Sequence, residues 1–174
     1  MTATWDLFII IFFIIAVIFG IAMGRERSMV GVIAAYIGLV VSNVWGNAVY
    51  NLIGGDTSAQ VGNAVSFSAT ASPFFIKAGI FILVLVLLIV KGDFLKKAMT
   101  SHSGVSSIVI SGIYSFLNAG IIVTALVSFL GDAQRTDLLT QSNLINLVQR
   151  YNVWWMVLPV ALMIIMGFKD KEEA

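Results

Sequence analysis

The chain has 174 residues, 59% of them hydrophobic and 11% charged, and its mean hydropathy is +0.99. Those values exclude an ordinary soluble domain, in which about a quarter of residues are charged. A net charge of +1 leaves no basic patch to neutralise phosphates, which argues against nucleic acid as a partner, and the absence of cysteine excludes disulfides and thiolate chemistry.

A hydrocarbon core about 30 Å thick is crossed by about 20 residues of helix. Five apolar stretches approach that length, at 5–23, 29–53, 74–90, 105–130 and, shorter, 151–168. They consume most of the sequence, so the expected fold is all-α: a single domain over 1–174, an integral membrane helical bundle with four to five transmembrane helices. The leading segment, residues 1–6, carries Asp6 and no basic residue, and the first stretch is followed by Arg25 and Arg27. That is the reverse of a secretory signal, and the stretch reads as a retained helix with the N-terminus outside. Between the second and third stretches, 54–73 is rich in Gly, Ser, Thr, Ala and Asn and reads as an external loop, with Pro73 opening the third helix. The third is almost unbroken Ile, Leu and Val from 80 to 90 and should face lipid.

Ahead of the fourth stretch, His102 stands in a Ser-rich turn and reads as a solvated loop histidine beside a capping serine. After it, Leu138, Leu144, Ile145 and Val148 recur at near-helical spacing among Gln, Asn and Ser, so 136–150 should form a short amphipathic helix on the outer surface. The fifth stretch opens with Tyr151, Trp154 and Trp155, aromatics suited to the interfacial belt, and contains Pro159. Crossing is favoured over lying in the interface because Lys169 and Lys171 then fall inside. The same rule puts Arg25, Arg27, Lys91, Lys96 and Lys97 in the cytoplasm, and Arg135 and Arg150 opposite.

Small residues at four-residue spacing are the strongest local signal. They run Ala16, Gly20, Gly24 in the first stretch and Ala34, Gly38, Ser42, Gly46 in the second. The fourth carries Ser107, Ser111, Ser115, Ala119, with Gly120, Thr124 and Ser128 alongside. Such ridges let backbones approach, which is how membrane helices hold together. Packing inside one subunit is the first reading and an oligomer interface the second. Asn43, Asn47 and Asn51 stack on one face of the second helix, and Asn118 is a candidate to join them. They serve either as interhelical hydrogen-bonding groups or as a polar cleft opening outward. Asp6 and Lys77 sit near the outer boundary, where snorkelling accounts for both and mutual pairing is the alternative. No catalytic, cofactor-binding or metal-binding motif is recognisable, so the sequence reads as non-enzymatic and without a cofactor.

A Trp5-Asp6 start, a long apolar helix, and Gly20-xxx-Gly24 followed by Arg25-Glu26-Arg27 opening a second helix resemble the bacterial colicin V production protein family. The likeness extends over about residues 5–131, through an apolar third helix, a lysine-bearing connection and a small-residue-rich fourth helix. The family usually has an aromatic and an arginine where this chain has Ile21-Ala22-Met23, and an arginine–glycine pair near Asn118-Ala119-Gly120. The resemblance implies a multi-pass protein of the bacterial inner membrane, linked to bacteriocin export and envelope physiology. Its implied partners are the lipid bilayer and further copies of itself or other membrane subunits. No catalytic residues come with it. Two other readings are open: a small oligomeric channel lined by the asparagines and small-residue ridges, and a scaffold subunit of a larger membrane machine.

Overall fold

The computed structural model describes residues 5–52, 73–91 and 105–172. Most of the expected external loop and the turn with His102 lie outside the described residues. Among those described there are seven helices and no strand. They are α1 (Trp5–Met23), α2 (Arg25–Leu52), α3 (Pro73–Lys91), α4 (Val105–Phe129), α5 (Asp132–Gln141), α6 (Asn143–Arg150) and α7 (Asn152–Glu172). Helices α1 to α4 each contain a span long and apolar enough to cross a membrane; α6 and α7, bent by 58°, add a fifth if they count as one span. The chain is an all-α bundle of a membrane protein.

Local chemistry explains the boundaries. Gly24 has φ +85, the left-handed conformation that closes a helix cheaply only at glycine, so α1 stops at Met23 and α2 begins directly at Arg25. Pro73 is the first residue of α3, where its missing N–H costs nothing. The expected single amphipathic helix over 136–150 is instead two. Ser142 is extended, its N–H bonds the Leu138 carbonyl to finish α5, and its hydroxyl accepts from the Ile145 N–H to start α6.

The end of the bundle holding the α1–α2 corner is here the Gly24 end; the opposite end, where α4 passes to α5, is the Gly131 end. Burial separates centre from periphery: 56% of the α4 span and 50% of the α2 span are buried, against 11% each for α1 and α3. Helix α3 runs antiparallel along α2, with Phe81 against Gly38 and Lys77 against Gly46. Helix α4 lies between α1 and α2 and also meets α3, α6 and α7. One core joins Met29, Val32 and Ala35 of α2 to Phe81 of α3 and to Ile121 and Phe129 of α4. A second joins Ile9 of α1 to Val123 and Val127 of α4 and to Ile145 and Val148 of α6.

What remains outside is strongly apolar. Along α1, Phe8, Ile11, Ile15, Ile18 and Phe19 are exposed, and along α3 so are Phe75, Leu83, Val86 and Val90. In water such continuous faces would drive aggregation; in lipid they cost nothing. The Trp155 ring lies on Gly120, in contact with Phe13 and Phe116. Pro159 is fully buried inside α7, and the Tyr36 hydroxyl donates to the Met156 carbonyl in the turn that the proline ring disturbs.

Candidate functional site

The most specific polar arrangement is at the Gly24 end. The left-handed Gly24 turns the chain so that Ser28, one helical turn into α2, comes back over the last carbonyls of α1. Its hydroxyl oxygen lies 3.0 Å from the Gly24 carbonyl and 3.1 Å from that of Gly20. From α4, Ser111 donates to the Gly20 carbonyl at 2.6 Å and lies 2.9 Å from the Ser28 hydroxyl, to which Ser115 donates at 3.1 Å. All three serines are buried. Each hydroxyl has one hydrogen to give, and each finds an acceptor, so the cluster satisfies itself while adding second bonds to the Gly20 and Gly24 carbonyls, which already accept from the Gly24 and Ser28 N–H groups. The close approach depends on Gly20, because a Cβ there would overlap the Ser115 side chain.

The small-residue ridges are used inside the chain. On α2, Ala34, Gly38, Ser42 and Gly46 are buried; a Cβ on Gly38 would meet the Phe81 ring at 3.1 Å, and one on Gly46 the Lys77 stem at 2.5 Å. On α4, Ser111, Ser115 and Ala119 are buried and Ser107 is half-buried. Gly31, absent from the predicted ridges, receives Asn118: a Cβ there would be 3.1 Å from the Asn118 Nδ2. The Asn118 Oδ1 is buried and has no hydrogen-bond partner among the described residues.

The four asparagines are not brought together. Asn43, Asn47 and Asn51 are exposed on the outside of α2. Gly31, where Asn118 packs, is about 18 Å down the helix from Asn43 at 1.5 Å per residue. The reason is helix phase: the ridge at 38, 42 and 46 occupies the inward face, and residues one position on are turned by about 100°. A cleft lined jointly by these amides, or a path lined by amides and ridges together, is therefore not part of the described bundle.

Nor do Asp6 and Lys77 pair. The Asp6 carboxylate accepts from the Ser142 hydroxyl at 2.5 Å and from the Leu144 N–H at 3.1 Å, clamping the start of α1 onto the first turn of α6. The Lys77 stem lies over Gly46 instead.

Beside this clamp is a concavity lined by described residues. Helices α1 and α3 flank α4 at the Gly131 end and barely touch one another, which leaves a groove of about 510 Å³. Val123, Leu126 and Val127 of α4, with Leu130 just beyond it, form its floor; Phe8, Ile9 and Phe12 of α1 form one wall, Phe74 contributes opposite, and α5 adds Leu138. Its few polar side chains, Gln134, Asp137 and Gln141, all come from α5, and Gln141 accepts from the Trp5 indole N–H at 3.2 Å. Among the described residues no group of three or more His, Cys, Asp or Glu side chains is placed to hold a metal ion.

No protein-family model, curated protein or solved structure matches the chain.

Sequence reasoning missed Ser28, although the signal was present: Gly20, Gly24 and Ser28 continue one four-residue series through the turn. It also missed Ser142, whose role is set by Asp6, distant in sequence and on another helix.

Proposed function

We propose that this chain is a non-enzymatic, multi-pass protein of the bacterial inner membrane, similar to the colicin V production protein family, acting in export or envelope homeostasis. The observation that carries the reading is the corner at Gly20-xxx-Gly24-Arg25-Glu26-Arg27. Of the residues that bear the resemblance, Gly20 accepts from Ser111 of α4 and Gly24 makes the left-handed turn, so part of the likeness falls on a specifically built element. The N-terminus is outside in this reading. Arg25, Arg27 and Lys91 belong to the Gly24 end, and Arg135 and Arg150 to the Gly131 end, so the positive-inside rule turns the Gly24 end to the cytoplasm.

The test is complementation. In a bacterium lacking its own colicin V production protein, expression of this chain should restore bacteriocin secretion or tolerance of detergent stress. A membrane-inserted product that restores neither refutes the reading. The cysteine-free sequence makes orientation separately measurable: a single cysteine at 135 should react with an impermeant thiol reagent in intact cells, and one at 27 should not.

A second reading, a subunit of a larger membrane assembly, is favoured by one observation. Asn43 and Asn47 are exposed on a helix otherwise suited to lipid, and amides in hydrocarbon require partners. Recovery of a stoichiometric companion that is lost on Asn43→Leu/Asn47→Leu would select it.

A further inference from the structure

The groove at the Gly131 end has walls of one chemistry and a rim of another. Its floor and sides are aliphatic and aromatic, and it opens between α1 and α3, the two helices whose outer faces are the most lipid-like in the bundle. Its polar groups are confined to a single helix: Gln134, Asp137 and Gln141 fall at i, i+3 and i+7, on one face of α5 together with Leu138. At about 510 Å³ the volume is in the usual range for small-molecule sites, which are mostly apolar with a few polar groups that fix orientation. The arrangement matches an amphiphile with its chain lying on α4 and its head under α5.

The charge at the rim selects the head. Asp137 is the one acidic side chain lining the groove, and it has no cationic partner among the described residues. The two glutamines add amide donors and acceptors. An anionic head would stand against an unpaired carboxylate, whereas a primary ammonium would make a charge-assisted hydrogen bond with it. We propose that the groove binds one phospholipid with a primary ammonium head, of the ethanolamine type, taken from the surrounding leaflet, with an acyl chain on Val123, Leu126 and Val127. The inference requires only that the Gly131 end lie at a membrane boundary, and stands apart from the family reading.

The test uses the purified full-length chain in detergent, incubated with phosphatidylethanolamine, phosphatidylglycerol and phosphatidylcholine of identical acyl chains and read by native mass spectrometry. One phosphatidylethanolamine per chain should survive collisional activation that strips the other two. Asp137→Asn, on an exposed position, should lower the preference over phosphatidylglycerol about tenfold, the effect of about 1.4 kcal/mol from one charge-assisted bond. Leu126→Trp should fill the groove and abolish retention of all three, with a circular-dichroism melt confirming that each variant is folded. Equal retention of the three lipids, retention of none, or an Asp137→Asn chain with unchanged preference would overturn the proposal.

Discussion

The serine cluster makes a quantitative claim about Gly20. Replacing it with alanine adds a methyl group that would overlap the Ser115 hydroxyl and Cβ and approach the Ser28 hydroxyl to 3.4 Å. Intrinsic helix propensity alone would make Gly20→Ala stabilising by about 1 kcal/mol. Against that, forcing a methylene into a filled site costs about 1–3 kcal/mol. Pushing α1 off α4 also disturbs the Ser111 bond to the Gly20 carbonyl and the Ser115 bond to Ser28, at about 0.6 kcal/mol each in a membrane setting. The net expectation is a loss of about 1–3 kcal/mol, measured by titrating the protein from mild-detergent micelles into dodecyl sulfate and following helicity by circular dichroism.

The rescue separates packing from any general effect of the mutation. Ser115→Gly in the Gly20→Ala background transfers the methyl-sized volume from α4 to α1 and should recover most of the loss. Ser115→Ala should not, because the Cβ of residue 115 would itself be overlapped. A Gly20→Ala protein at least as stable as the parent, or two second-site variants that behave alike, would show that the α1–α4 contact does not depend on this residue.

Three further expectations follow from the same geometry. Gly24→Ala should cost about 1–2 kcal/mol although nothing lies near its Cβ, because the cost is in the left-handed backbone; the same dodecyl sulfate titration measures it. Asp6→Ala should speed hydrogen exchange at the Leu144 amide and leave Ile145, which is held by Ser142, nearly as protected as before; equal acceleration at both would mean that Asp6 orders the whole turn. Tyr36→Phe should destabilise the bundle by about 1 kcal/mol through the Met156 carbonyl, and an unchanged titration midpoint would show that the α7 backbone is satisfied without it.

How much of this was legible in the sequence depends on whether the information was local. Helix existence was local: apolar runs of spanning length, Pro73 at a start and a glycine at a corner yield α1 to α4 with ends displaced by only a few residues. The break at Ser142 was not, because two short polar helices with one serine between them resemble a single imperfect helix until Asp6 arrives from α1. The site shows the same division. Four-residue spacing reveals that Gly38, Ser42 and Gly46 share a face, and that Asn43, Asn47 and Asn51 share another, but it carries no information about which face turns inward. Volume decides that. A face of Gly and Ser admits Phe81 and the Lys77 stem to backbone distance, and a face of asparagines does not. Once α3 has taken the small face, the amides must point away, and any role they have lies with whatever meets α2 from outside. Asn118 falls on the other side of this rule: Gly31 lets it in, and its Oδ1, like the Ser42 and Thr124 hydroxyls, is buried without a hydrogen-bond partner among the described residues.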